Sequence, residues 1–311
     1  MTKPRLRFGS RIGSSLTVLG TLDAGARDRA VYIAWHHGRW CPVACKLFQS
    51  DERAREEAAL LAAMAHPNIV RFLGLGQPAH LLMEFLEGPT LLGMLRDTSR
   101  LGVSDALRVG AHVASALLHM HEQGVLHLDV NPSNIIVSHG RPILFDLGTA
   151  RRRPDWNSGR LEGTRHYMAP EQCLRQPVAP ATDVFGLGVT LYEMLTGKLP
   201  FAFGRGTQEY PQITADPVPV RHYRPVPAAL DRIIQQCLAR DPARRPSLAT
   251  IIPGLHEFIR SGPPMWPAGF QPNRIPRKEM PNAVIRTDLG PGGHTRSGMG
   301  ADRERAGADY Q

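Results

Sequence analysis

The stretch GVLHLDVNPSNIIVSHGRPILFDLGTA, Gly124 to Ala150, decides how the rest of the chain is read. Ile135-Ile136-Val137 and Ile143-Leu144-Phe145 are β-branched or aromatic-rich runs, and His139-Gly140 between them suits a tight turn. A hairpin built this way runs out and back. It places Asn134, just before its first strand, beside Asp146, just after its second. Two hard oxygen ligands then converge on one point, which suits Mg²⁺, a cation that takes one or two protein oxygens and leaves its other positions to water and phosphate. Asp129 lies five residues before Asn134, near enough to orient a hydroxyl toward the same centre.

The chain of 311 residues is long enough for one large domain or two lobes with sizeable cores. Its hydrophobic fraction of 42% and charged fraction of 21% are those of a soluble globular protein. No run reaches the roughly 18 apolar residues a membrane helix needs. The basic opening, MTKPRLRFGSRIGSS, lacks the apolar core of a secretory signal, so a cytoplasmic protein without a membrane anchor is expected. Cys41, Cys45, Cys173 and Cys237 are scattered, without a metal-like CxxC pair, and read as reduced thiols. Of the net charge of +9, a net +6 falls in residues 1–15 and 261–311. With no aromatic-interleaved basic surface or DNA-binding motif, specific nucleic-acid binding is not expected.

From Leu16 to Phe48, LTVLG, AVYIAW and PVACKLF read as strands between Gly, Asp and Arg clusters. Ser50 or Asp51 can cap a helix running to Ala65, and HPNIVRFLGLG and HLLMEFLEG read as two more strands. After Gly88 the pattern turns helical. Leu101 to Gln123 carries Leu107, Val109, Val113, Leu117, Leu118 and Met120 on a buried face, and Phe185 to Leu195 is nearly apolar all round. Later helices are expected at Pro227 to Ala239 and Ser247 to Arg260. The Pro- and Gly-rich stretch from Ser261 onward reads as a flexible tail. The expected fold class is α+β, divided into a basic arm at 1–15, a domain at 16–260 with a β-rich lobe at about 16–83 and a helical lobe at about 84–260, and a tail at 261–311.

HLDVNPSN and DLG resemble, at the same spacing, the HRDLKPxN catalytic loop and DFG metal-binding segment of eukaryotic-like Ser/Thr protein kinases, here of bacterial type. Val43-Ala44-Cys45-Lys46 is similar to the VAIK strand of that family, and GTRHYMAPEQ, Gly163 to Gln172, to the end of its activation segment. The ordered matches cover about residues 16–260 and imply a two-lobed kinase fold. They further imply ATP as phosphoryl donor, with Mg²⁺ or alternatively Mn²⁺, and a protein substrate whose identity the sequence does not give.

The resemblance carries roles residue by residue. Asp129 would orient the substrate hydroxyl, and Asn134 and Asp146 would hold metal. Lys46 would neutralise the α- and β-phosphates, paired to Glu57. Glu57, Leu61 and Met64 share one helical face, whereas Glu56 turns toward solvent. Met83 would stand at the back of the nucleotide pocket, the backbone of Glu84 and Leu86 would hold adenine, and Val31, Ala44 and Ile136 would sandwich it. Glu171 and Arg245 would form a buried ion pair, Asp183 would hold the catalytic-loop backbone, and His127 would serve structurally. Thr164 beside the base favours Ser or Thr hydroxyls over Tyr, while neutral Thr90 and Ser133 give no basis for a basic-substrate preference.

Three departures stand out. The phosphate loop retains only Gly20 and Gly25, with Asp23 and Asp28 in place of further glycines, so weaker phosphate contacts are expected. Asn131 replaces the family's lysine on the γ-phosphate, and loss of such a cation can slow transfer by about 10²-fold. Leu128 replaces the arginine that binds a phosphorylated activation segment, so activity should not depend on that switch. Thr149, Ser158 and Thr164 are candidate autophosphorylation sites, with Arg151, Arg152 and Arg153 as candidate phosphate partners. An active signalling kinase is the main reading. A pseudokinase, using the fold as a nucleotide-sensing or scaffold module, is the alternative that the depleted glycine loop and Asn131 suggest.

Overall fold

The β-branched runs of the first eighty residues form β1 (Arg11–Ile12), β2 (Leu16–Asp23), β3 (Ala30–His36), β4 (Cys41–Leu47), β5 (Phe72–Gly76) and β6 (His80–Glu84). The computed structural model describes residues 6–23, 30–153, 156, 161–202 and 209–259. The six strands make one sheet in the order β1-β2-β3-β4-β6-β5, antiparallel at every pairing. The sheet begins at Arg11, inside the segment read from sequence as an arm. Ile12 is buried with Leu16 and Val18 in a small cluster on one sheet face. A two-residue strand between Gly and Ser is too short to show period-two alternation, which hid it from the sequence reading.

Helix α1 (Asp51–Ala62) crosses between β4 and β5. The Ser50 hydroxyl accepts from the Arg53 N–H at 3.4 Å, and Asp51 and Glu52 sit in the first turn, where the helix dipole favours acids. Ala54, Glu57, Ala58 and Leu61 are its buried face. Leu61, Met64, Leu81 and Met83 merge into the core that fills the helical half of the molecule.

That half comprises α2 (Leu91–Thr98), α3 (Val103–Glu122), α4 (Pro170–Cys173), α5 (Pro180–Thr196), α6 (Ala228–Cys237) and α7 (Leu248–His256). Helix α5 is buried along nearly its whole length, including Phe185, Leu187, Leu191 and Tyr192, and α3 packs against both α5 and α7. Gly186 and Gly188, on α5, have packing reasons rather than phosphate-binding ones. A methyl at Gly186 would come within 3.0 Å of the Val130 carbonyl, and one at Gly188 within 2.7 Å of Cys237 Cβ. Among the described residues no helix is long and apolar enough to cross a membrane, and all four cysteines are free.

Two small ribbons complete the site's frame. β8 (Ile135–Ser138) pairs with β9 (Arg141–Leu144) as the expected hairpin, with Ile135 opposite Leu144. His139 at φ +50° and Gly140 at φ +77° both take the left-handed backbone that a primed two-residue turn requires. β7 (Val125–Leu126) pairs with β10 (Arg151–Arg152).

Candidate active site

The register of the sheet assembles one wall. Val31 lies opposite Lys46 and Ile33 opposite Ala44, while Ala44 lies opposite Met83 on β6. Since alternate residues share a face, Val31, Ala44, Lys46 and Met83 present together. Lys46 Nζ donates to Glu57 Oε1 at 2.6 Å and to Asp146 Oδ1 at 2.7 Å, joining the sheet, α1 and the end of the β8–β9 hairpin. Burial alone would lower the Lys46 pKa, but the Glu57 and Asp146 carboxylates outweigh it and hold it above the ordinary 10.5. The same balance runs in reverse at Asp146, where burial raises the pKa and Lys46 more than offsets this, leaving it below 3.8. Glu56 is exposed, as its helical position dictates.

The other wall is the loop between β7 and β8, with Asp129 at its centre. Three amide donors fix that carboxylate: Thr164 N–H to Oδ1 at 2.7 Å, Asn131 Nδ2 to Oδ1 at 2.9 Å and Asn134 Nδ2 to Oδ2 at 3.0 Å. Asn131 Nδ2 also lies 3.2 Å from the Thr164 hydroxyl, and its Oδ1 accepts from the Ser133 N–H at 2.8 Å. This side chain is therefore built into the loop, and buried.

Asn134 directs its amide nitrogen to Asp129, which leaves its oxygen for another partner. The hydrogen bonds of Asp146 from Lys46 and Gly148 both fall on Oδ1, and its side chain is 40% exposed. An amide oxygen and a carboxylate oxygen are hard donors that fit a divalent cation completing its shell with water and phosphate. Among the described residues no cluster of three or more His, Cys, Asp or Glu forms a separate metal site.

The loop rests on α5. Asp183 Oδ1 accepts from the Leu128 N–H at 2.7 Å and Oδ2 from the His127 N–H at 2.9 Å. His121 Nε2, on α3, is 2.8 Å from the same Oδ2. Asp183 is fully shielded. Burial raises its pKa, and hydrogen bonding to His121 together with the nearby histidines and the loop N–H groups brings it below the ordinary 3.8. Helix α5 begins at Pro180, so Asp183 lies inside the first turn rather than at the cap. His127 is buried, its Nδ1 3.3 Å from the Asp129 N–H and its Nε2 3.4 Å from the Phe145 carbonyl. Leu128 sits at φ +66° with its side chain buried. Below the loop, Arg245 Nη1 and Nη2 donate to the two oxygens of Glu171 at 2.7 and 2.9 Å, and Thr182 donates to Glu171 Oε1 at 2.8 Å.

Residues 26–258 match the protein kinase domain. The chain belongs to the protein kinase family. Among curated relatives it is similar to the serine/threonine-protein kinase PkaA of Streptomyces coelicolor, at 35% identity over 65% of this chain and 39% of the relative. The serine/threonine-protein kinase PknA of Mycobacterium tuberculosis is 35% identical over 64% of this chain and 49% of its own length. The serine/threonine-protein kinase PrkC of Bacillus subtilis is 28% identical over 76% of this chain and 39% of its own length. The chain thus spans between about two fifths and one half of these relatives, and it carries the two-lobed kinase domain, β-sheet lobe and helical lobe. Protein kinases use ATP with a divalent metal and act on protein substrates.

The kinase domain brings together Lys46, Glu57 and Asp146 on one side and Asp129, Asn131, Asn134 and Thr164 on the other. Glu84 is tied to Arg71 at the end of β6. Its N–H donates to the Arg71 carbonyl at 3.0 Å and its carboxylate accepts from the Arg71 N–H at 2.9 Å. The amide is therefore committed within the sheet lobe, and the carbonyl is the backbone group this leaves for a base. Leu86 is half-buried in the following segment, and Ile136 on β8 bridges to Thr90. Gly25, Asp28 and Ser158 lie outside the described residues.

Two supporting residues escaped the sequence reading. His121 supports Asp183 from α3, and Gln172 Nε2 donates to the Leu128 carbonyl at 2.9 Å and the Glu162 carbonyl at 3.1 Å. His121 stands three residues before the opening stretch and carried only a helical-periodicity signal. Gln172 follows Glu171 directly and carried none. Of the candidate phosphate partners Arg151, Arg152 and Arg153, Arg151 pairs with Glu162 and the Arg153 guanidinium stacks over Trp156 at 4.2 Å.

Proposed function

We propose that the chain is a Ser/Thr protein kinase that transfers the γ-phosphate of ATP, with Mg²⁺, to a protein hydroxyl. The observation carrying this reading is the Lys46–Glu57–Asp146 connection, which holds a nucleotide-facing cation and a metal-facing carboxylate in register across two lobes. Its completeness argues for an enzyme rather than a scaffold.

Phosphoryl transfer asks a protein chiefly for positioning and charge compensation. Lys46 supplies a permanent ammonium for the α- and β-phosphates. Asn134 Oδ1 and the outer oxygen of Asp146 would hold the cation, which when bound neutralises phosphate charge. Asp129 would accept the hydrogen bond of the incoming hydroxyl and aim it, its own orientation fixed by Thr164, Asn131 and Asn134. Val31, Ala44 and Ile136 would flank adenine, with the Glu84 carbonyl and Leu86 amide at its edge. Thr164 beside Asp129 supports Ser and Thr as acceptors. Use of ATP supports a cytoplasmic location.

The test is Asp129→Asn. Asparagine keeps an acceptor oxygen for the Thr164 N–H, so the melting temperature should stay close to wild type while autophosphorylation and phosphorylation of a generic protein substrate disappear. Wild-type protein that incorporates no phosphate from ATP with Mg²⁺ would overturn the reading.

A further inference from the structure

The residues that follow the base-contacting Thr164 form a tight turn, in which the Tyr167 and Met168 N–H groups both donate to the Thr164 carbonyl, at 2.8 and 3.2 Å. Gln212 grips this turn from a distant part of the chain. Its Nε2 donates to the Arg165 carbonyl at 3.0 Å and to the Met168 carbonyl at 3.1 Å, so the two hydrogens of one amide are placed near the two ends of the turn. The same nitrogen lies 3.4 Å from Cys173 Sγ at the end of α4. Gln212 is the middle residue of a 3₁₀ turn, Pro211–Ile213, and is 2% exposed. Its Oε1 is buried with no hydrogen-bond partner among the described residues, which costs stability, so the donor end is what this position uses. A second strap runs beside it: Arg165 Nε donates to the Glu209 carbonyl at 2.7 Å, and the Arg165 guanidinium lies 5.7 Å from the centre of the Tyr210 ring.

We propose that Gln212 is a positioning residue for the protein acceptor, fixing the turn from Thr164 to Met168 against which the incoming hydroxyl is aimed. The proposal rests on the phosphotransferase reading above and deepens it. Thr164 is exposed, and its N–H holds Asp129 Oδ1 at 2.7 Å, so a polypeptide that brings a hydroxyl to Asp129 meets this turn. The nucleotide side is held separately. Lys46 is bonded to Glu57 and Asp146, and Asp129 keeps the amide donors of Asn131 and Asn134 whatever the turn does. The influence of Gln212 therefore falls on the acceptor and leaves ATP alone. A misplacement of about 1 Å at such a site is enough to cost up to about 10²-fold in rate.

The test uses the full chain with two variants. Gln212→Met keeps the length and bulk of the side chain without its hydrogens, and Gln212→Asn keeps the amide but withdraws it by one methylene. For each, kcat/KM toward a generic Ser/Thr protein substrate should fall about tenfold, the effect of losing buried hydrogen bonds. The KM for ATP should stay within about twofold of wild type, and so should the hydrolysis of ATP by water without protein substrate, because water needs no turn to bring it to Asp129. Hydrogen exchange at the Tyr167 and Met168 amides should quicken in both variants. A general folding defect lowers ATP hydrolysis and protein phosphorylation together, and equal losses in the two reactions would overturn the proposal. So would a Gln212→Met variant with wild-type kcat/KM toward protein. If wild type transferred no phosphate, the functional reading would fail separately, and unchanged exchange at Tyr167 and Met168 in both variants would still remove the positioning role.

Discussion

Asn131 Nδ2 lies 2.9 Å from Asp129 Oδ1, so the residue standing where relatives carry a lysine is committed to holding the base. It ties Asp129 to Thr164 and cannot also present a charge to phosphate. Asn131→Ala should lower kcat by about tenfold through loss of hydrogen bonds to a charged acceptor. Asn131→Lys, which adds a donor of positive charge, should raise kcat by about tenfold or more. Steady-state kinetics with ATP and a generic Ser/Thr substrate measure both.

Lys46 connects two carboxylates, and its side chain is only 4% exposed. Lys46→Met should remove transfer altogether and also leave Glu57 buried without its cation, a loss of about 3–5 kcal/mol in stability. Glu57→Gln, which retains a hydrogen-bond acceptor, should cost less stability but weaken ATP-dependent thermal stabilisation. Urea denaturation and a melting titration with Mg²⁺-ATP separate the two effects.

Asp183 gives a pH dependence with a definite sign. Its carboxyl pKa lies below the ordinary 3.8, so the stability it contributes is fully present above that value and is lost as pH falls through its depressed native pKa. Asp183→Asn should therefore be less stable than wild type at neutral pH, with the gap narrowing below about pH 4. Urea midpoints at pH 7, 5 and 3 measure that gap.

Glu171 and Arg245 form a bidentate, almost fully shielded pair, with Arg245 also 5.0 Å from the centre of the Phe185 ring. Removing either partner strands the other. Glu171→Ala and Arg245→Ala should each lose about 3–5 kcal/mol, and the double variant should lose clearly less than the sum. Denaturant titrations of the three proteins complete the cycle.

The Asp129, Asn134 and Asp146 constellation was legible because a two-residue turn between β-branched runs has few ways to fold, and Glu57 was legible because helical periodicity separates it from Glu56. Arg11–Ile12 was not legible, since two residues carry no period. The Arg151–Glu162 pair was not either, because charge spacing in a non-repeating segment says nothing about which residues meet. Asn131 was read from the sequence only as a missing cation. Its second role, a neutral clamp on the base, depends on a loop conformation that its neighbours impose.

Helix α5 supports the catalytic loop through Asp183, the absent side chain of Gly186 and the Thr190 hydroxyl, 3.5 Å from the Val130 carbonyl. That loop is consequently expected to melt together with the helical core. Heat should leave catalysis intact up to the temperature at which the helical core gives way, with inactivation and loss of helical circular dichroism tracing one curve.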